Sequence, residues 1–411
     1  MEEEIKKKKQ QRKKRDQWIV IGIYLLLGLI VGFVGGMVLD HVIPEGQVPS
    51  YIKIGSLTFV LLGFYLSLTG HIFIHETGHM IFGLLSGYQF VSIRFFNLMF
   101  VKQDGKMKIK KMSLSGTGGQ CLMLPPATDG SSPTKLYHLG GCIFNFIFSI
   151  LSFCFAGFFT KYLIIWSCFL IFGICGIGTA MINFIPFRSM GNDGYNAFTL
   201  SKRKDARIAV EKTLLANKWM SDNMRVKDMP KEWFLMDKKA EQIFYNVLEQ
   251  SDKEEKSNKE EKIQGLQELL SDNLVVSHVL MKMNYFMDRH EFKKAEKVGR
   301  ILLENAELID LHELSIKADL LYIEVIGERR KEVVNAILDE KVKKKMKLLD
   351  SLPAIYRVWY AFYSLYEPEQ KKAKKAKEQF EKLAIHYPYL GDIISERELI
   401  EIVDTMLSSL F

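Results

Sequence analysis

The sequence predicts a mainly α-helical, polytopic membrane protein that carries a cytoplasmic all-α domain. Residues 18–200 are mostly apolar, whereas residues 201–411 carry many charges of both signs. The apolar half contains four stretches of about 20 residues or more, the length that an α-helix needs to cross a bilayer core of about 30 Å. The charged half repeats amphipathic helical patterns and contains no further span. We therefore expect a membrane-embedded domain over residues 18–200 and a helical domain over residues 201–411.

The first predicted span follows a basic N-terminal segment, residues 1–17. Basic flanks stay in the cytoplasm, and the apolar stretch is too long for a cleaved signal peptide, so we expect a retained span. Four crossings return the chain to the cytoplasm, where Lys202 and Arg203 agree with this orientation. We expect a multi-pass protein of a bacterial cell membrane with both termini in the cytoplasm. The predicted spans are residues 18–39, 54–85, 139–160 and 162–185.

A small β-rich segment, residues 88–136, is expected between the second and third spans. Residues 90–96 and 107–110 have strand-like patterns, and Asp104-Gly105 between them is a hairpin signal. Two interpretations remain open. The hairpin rests on the cytoplasmic membrane surface, or it offers a strand edge that pairs with an extended substrate.

The second predicted span contains the motif H-E-x-x-H, formed by His75, Glu76 and His79. Residues four apart share one face of a helix, so both imidazoles can bind one metal ion. Glu76 can take a proton from a water bound to that metal. The alternative is an ordinary helix with two histidines. Lipid disfavours that alternative, because ionisable groups at membrane depth are costly and need partners.

A third ligand is needed, because hydrolytic zinc sites have three protein ligands and one open position. His71 lies one turn before His75, but ligands on three consecutive turns would crowd one ion. We therefore expect His71 to line a pore or to contact a metal ligand rather than to bind the metal itself. Asp193 follows the fourth span, which returns to the same side of the membrane as the motif. Pro186 ends that helix and Gly194 permits a tight turn. The alternative for Asp193 is an ordinary solvated Asp-Gly turn.

These elements together resemble the site-2 protease family of intramembrane zinc metalloproteases, in the bacterial form without a PDZ domain. The family carries H-E-x-x-H in one span, a Gly-x-x-x-Asn-like element in the next core span, and Asn-x-x-Pro followed by Asp-Gly at a later one. The second element here ends at Asn145, and the third comprises Asn183, Pro186 and Asp193-Gly194. The resemblance covers about residues 54–196. This chain departs from the family at Asn192, where Leu is common.

The resemblance implies His75, His79 and Asp193 as ligands of one Zn²⁺ per chain and Glu76 as the catalytic acid and base. It also implies that Asn145 and Asn183 contact the substrate or the transition state. As an alternative, Asn145 bonds a neighbouring helix. The implied activity is that of an intramembrane metalloendopeptidase, a hydrolase that cleaves membrane-spanning or membrane-anchored peptides with metal-activated water.

Residues 201–411 are expected to form helical hairpins that resemble tetratricopeptide repeats, because paired helices recur at roughly 35–40 residues. A row of Tyr and Trp side chains over residues 356–366 is interpreted either as hairpin core or as a groove for a protein partner. Residues 250–262 are highly charged and are expected to be exposed. The amphipathic stretches are residues 276–287, 292–304, 311–326, 331–349, 354–366 and 372–385.

Other functions are less compatible with the sequence. No nucleic-acid-binding motif is present and acidic residues are mixed throughout, so nucleic acid is not an expected partner. The five cysteines form no C-x-x-C pair, which argues against a thiolate metal site. Two alternatives to proteolysis remain: a non-catalytic membrane scaffold, or a peptide immunity or transport protein. The expected partners are the lipid bilayer, a membrane peptide or single-span protein substrate, and a protein on the helical domain.

Overall fold

The structure is a computed structural model of the chain and is mainly helical. It forms two compact units, the first from residues 1–95, 118–121 and 133–202, the second from residues 96–117, 122–132 and 203–411. The residues that it describes are 2–42, 50–103, 105–111, 118–200, 202–236, 238, 241–244, 264–270, 272–305, 312–347, 349 and 351–409.

Four long helices dominate the first unit, and each is long and apolar enough to cross a membrane. This confirms the four membrane-length helices that the sequence predicts. Their outer faces expose large apolar side chains, for example Leu29 at 72 % and Phe158 at 81 %. The helices are α1 (Glu2–Val42), α2 (Ser50–Leu85), α3 (Thr134–Phe158) and α4 (Leu163–Phe184).

Close approach of α2 and α3 depends on two glycines that face each other. A Cβ atom on Gly140 would lie 2.6 Å from the carbonyl oxygen of Gly78, and a Cβ on Gly78 would meet the carbonyl oxygen of Gly140. Small residues allow helix backbones to approach in a membrane. Gly78 lies inside the H-E-x-x-H motif, so this contact brings α3 directly against the histidines.

Four short strands form an antiparallel sheet in the order β3-β2-β1-β4. The predicted hairpin was incomplete, because an additional strand, β2, follows β1 and pairs with β3, with Val101 opposite Lys108. Phe96, the residue after β1, has a positive φ of 54°, which is uncommon for a bulky residue. The sequence has no Gly or Pro at this turn that would predict it. The strands are β1 (Gln89–Phe95), β2 (Leu98–Gln103), β3 (Lys106–Lys111) and β4 (Gly119–Leu124). Asp104 of the predicted turn lies outside the described residues.

A short helix, α5 (Asp193–Leu200), follows the fourth long helix, and further helices build the second unit. The stretch predicted as one helix over residues 331–349 is two helices, because Asp339 accepts a hydrogen bond from the Val342 amide and starts a new one. Whether the helices form tetratricopeptide-like repeats stays a prediction, and residues 250–262 lie outside the described part. The helices are α6 (Lys204–Ser221), α7 (Asn273–Asp288), α8 (Phe292–Asn305), α9 (Glu313–Ile326), α10 (Lys331–Ile337), α11 (Glu340–Lys347), α12 (Pro353–Ala361), α13 (Gln370–Ala384) and α14 (Leu390–Ser408).

Candidate metal centre

Three side chains of the ligand type converge in the first compact unit. His75 and His79 lie one turn apart on α2, and Asp193 is the first residue of α5. His75 Nε2 is 2.9 Å and His79 Nε2 is 3.3 Å from Asp193 Oδ2, and the two Nε2 atoms are 3.1 Å apart. Two ligand atoms at about 2.0 Å from a tetrahedral zinc ion lie about 3.3 Å apart. The spacing of the three predicted ligands is therefore compatible with one zinc ion.

The protonation of His79 follows from the group behind it. Its Nδ1 lies 2.8 Å from the carbonyl oxygen of Tyr137. A carbonyl oxygen can only accept, so Nδ1 carries the proton and donates it. A neutral imidazole then has its lone pair on Nε2. A neutral His79 therefore directs its lone pair toward His75 and Asp193.

The amide of Asn145 lies between two histidines, 3.1 Å from His71 Nδ1 and 3.3 Å from His75 Nδ1. His71 is fully buried, and its Nε2 is 2.9 Å from the carbonyl oxygen of Phe172, to which it must donate. A charged imidazole in this apolar setting is costly, so we assign a neutral His71 whose Nδ1 accepts a hydrogen bond from the amide nitrogen of Asn145. This assignment puts the amide nitrogen where the structure has Oδ1 and the amide oxygen beside His75. The nitrogen and oxygen of an amide exchange places by a half-turn.

This orientation directs the amide oxygen of Asn145 to His75 and makes His75 Nδ1 the donor. The lone pair of His75 then lies on Nε2, as in His79. Both imidazoles consequently present electron pairs to a point that also faces the carboxylate of Asp193. Three acceptors this close repel one another unless a cation or a proton lies between them. The donor set, two imidazoles and one carboxylate, is that of known catalytic zinc sites.

Glu76 lies next to this cluster, against Gly119 of β4. It interacts electrostatically with His79, His75 and Asp193. A Cβ atom on Gly119 would lie 2.5 Å from its Cγ and Oε1 atoms, so only glycine leaves the carboxyl this position. The carboxylate oxygens of Glu76 are not among the clustered ligand atoms, which belong to His75, His79 and Asp193. This placement agrees with the predicted separation of a proton-transfer group from the ligands.

Asn192, which the sequence marked only as a departure from the family pattern, positions Asp193. Its amide nitrogen lies 2.7–3.1 Å from the carbonyl oxygens of Ile182, Asn183 and Ile185 at the C-terminal end of α4, and its two hydrogens are shared among them. Its amide oxygen accepts from the backbone of Tyr195, which makes Asn192 the N-cap of α5. The residue-type preference for Asn at an N-cap was a signal that could have identified this role.

The remaining predicted contact, Asn183, is bonded within its own helix. Its amide nitrogen donates to the carbonyl oxygen of Thr179, 3.1 Å away. Asn145, in contrast, contacts His71 and His75 of α2. These contacts are the bond to a neighbouring helix that was the alternative interpretation of Asn145, and its predicted contact with a substrate stays a prediction.

Cysteine does not contribute to this centre. Cys121 lies on β4, and its burial, followed by the neighbouring Glu76 carboxylate, raises the pKa of its thiol. A thiol with a raised pKa stays protonated and is a poor ligand. Within the described ranges, His75, His79 and Asp193 are the cluster of three His, Cys, Asp or Glu side chains that can hold a metal.

Comparison of the chain with models of protein families, with curated proteins and with solved structures gives no match. The site therefore has to be interpreted from its own geometry.

Proposed function

We propose that the chain is an intramembrane zinc endopeptidase that resembles site-2 proteases. The observation that carries this proposal is the convergence of His75 Nε2, His79 Nε2 and Asp193 Oδ2, which lie 2.9–3.3 Å from one another beside Glu76. Helix packing alone does not require three acceptor atoms that face one another, because such atoms repel unless a cation or a proton lies between them. The depth of the cluster in an apolar helix supports the same view, because ionisable groups there are costly unless they serve a function.

The proposed roles divide between binding and proton transfer. His75, His79 and Asp193 hold the zinc ion, which supplies Lewis acidity and lowers the pKa of water when bound. Glu76 accepts the proton of the attacking water and later gives it to the leaving amine. Gly119 leaves space for the Glu76 carboxyl close to the proposed ligands, because the Cβ atom of any larger residue would displace that carboxyl.

The proposed substrates are membrane-spanning or membrane-anchored peptides. Helices α2, α3 and α4 have the length and apolar character of membrane spans and carry or contact the cluster. A peptide bond can be cleaved only in an extended segment, and the sheet offers an edge strand, β4, whose Gly119 lies against Glu76 and with which such a segment can pair. The proposed location is the cell membrane, with both termini in the cytoplasm and the helical unit available to a protein partner.

The function is tested with Glu76→Gln, which keeps the shape of the side chain and removes the proton acceptor. Wild-type and variant chains are expressed in cells, and membrane peptides cut within a span are compared by quantitative mass spectrometry. General acid–base catalysis contributes typically about 10²–10⁴-fold, so the variant should lose the products by about that factor.

The matched control is Thr77→Ala at the adjacent position, where the exposed hydroxyl donates only to the carbonyl of Phe73 in its own helix. That variant should cut as the wild type does, and all three chains should hold zinc. Products at the wild-type level with Glu76→Gln would refute the protease and favour a membrane scaffold.

A further inference from the structure

A cavity lies wholly within the second compact unit and shares no residue with the candidate metal centre. Its volume is about 410 Å³. Ligand-binding pockets usually span about 300–1,000 Å³, so a small organic molecule fits. It is lined by the 3₁₀ turn Lys231–Phe234 and by residues of α7 and α8.

The charges around this cavity are strongly unbalanced. The single acidic side chain that lines it, Glu291, already bonds Arg289 at 2.7 Å and Lys294 at 2.5 Å. Buried Lys282 bonds Glu241, with 2.8 Å between Nζ and Oε1. Five cations therefore face two carboxylates. The cationic side chains are Lys231, Lys282, Arg289, Lys294 and Lys297.

Two of these cations are available to a ligand. Among the residues that the structure describes, neither Lys231 nor Lys297 has a carboxylate within ion-pair distance, and both side chains are exposed at the rim. They come from different elements, the 3₁₀ turn and α8, so a ligand between them would be held from two sides. The positive excess favours an anion of about two or more charges.

Apolar side chains form the rest of the wall. Phe234 and Tyr285 are buried, with ring centroids 4.4 Å apart, and Leu235 is 40 % exposed. Phe286 is half-buried beside them. Such a wall accommodates a flat or apolar body next to the charged group.

We propose that this cavity binds a phosphate ester whose remaining part is flat or apolar. A phosphate ester carries up to about two negative charges per terminal phosphate, and lysine binds it as a point charge. A nucleotide, with its flat base, and an anionic phospholipid, with its apolar chains, share this chemistry. The proposal goes beyond proteolysis and does not rest on it, since none of its residues belongs to the metal centre.

The experiment uses full-length protein in detergent and isothermal titration with ATP and with inorganic tripolyphosphate. Flotation with vesicles that contain a phosphatidylinositol phosphate, or phosphatidylcholine alone, tests the lipid source. The cavity variant is Lys231→Gln/Lys297→Gln. Its matched control is Lys293→Gln/Lys371→Gln, which removes the same charge from two exposed lysines that do not line the cavity.

We expect the protein to bind ATP or the phosphoinositide vesicles. Whichever of the two binds identifies the ligand as a nucleotide or as an anionic lipid. Each lost charge-assisted hydrogen bond weakens binding substantially, so the cavity variant should bind at least about tenfold more weakly, and the control within about twofold of wild type. Absence of binding in every arm, or equal affinity of the cavity variant and wild type, would overturn the proposal. Equal affinity for ATP and tripolyphosphate, without vesicle binding, would show that the apolar wall does not bind the ligand and would overturn that part of the proposal.

Discussion

At the scale of single residues, an uncharged side chain contacts His75, one of the proposed metal ligands, and sets which of its ring nitrogens carries the proton. Asn145 touches His75 from the side opposite Asp193 and is itself fixed by His71. Groups behind a ligand select its tautomer and orientation, and their loss typically costs about 10–100-fold in metal affinity. We therefore expect the amide of Asn145 to support the proposed metal site although it is not one of the three proposed ligands.

We expect Asn145→Leu to lower zinc affinity by about 10–100-fold, because His75 loses the acceptor for its Nδ1 proton. Competition with a fluorescent chelator measures this. Ser149→Ala is the control, since that hydroxyl donates only to the backbone oxygen of Asn145 one turn further along α3. Zinc affinity of the leucine variant equal to that of Ser149→Ala would contradict this role.

The sequence could predict His75, Glu76 and His79 because helical spacing alone brings the two imidazoles together. It could predict Asp193 only through the resemblance and the expected return of the chain. The partners of Asn145 depend on how α3 packs against α2, and the role of Asn192 depends on the turn between α4 and α5. The contacts of Asn145 join residues at least 70 positions apart, which no local pattern encodes, whereas the N-cap position of Asn192 has a local signal.

At the scale of elements, the contact between α2 and α3 places the histidines against Tyr137 and Asn145. Gly78 and Gly140 allow the two backbones to touch. The four long helices were predictable, because an uninterrupted apolar stretch of this length has few other structures. Strand β2 was not, because the turn at Phe96 lacks the usual turn residues.

We expect Gly140→Ala to lower the free energy of unfolding by about 1–3 kcal/mol, as overpacking does, since the added Cβ meets the backbone of Gly78. Gly157→Ala on the same helix is the control. A Cβ there has no atom within 4 Å, so that change should be neutral or stabilising by about 0.5–1 kcal/mol. Denaturation in detergent measures both, and equal stability of the two variants would disprove the tight crossing.

At the scale of the whole molecule, the basic flanks fix the expected orientation in the membrane. Arg12–Arg15 precede the apolar part of α1, and Lys202–Lys204 follow α5. A fusion tag at the C-terminus should be protected from external protease in intact spheroplasts. A tag at Lys161, in the turn between α3 and α4, should be cleaved. The reverse pattern would invert the proposed topology.

The metal content of the purified chain tests the central claim most directly. After stripping with a chelator and dialysis against zinc, elemental analysis should find about one zinc per wild-type chain and per Glu76→Gln chain. The variant His75→Ala/His79→Ala should retain almost none, because two of three ligands are lost. His386→Ala, at an exposed histidine of the second unit, is the control and should match the wild type. A wild-type chain without zinc, or a double variant with full zinc, would contradict the metal centre.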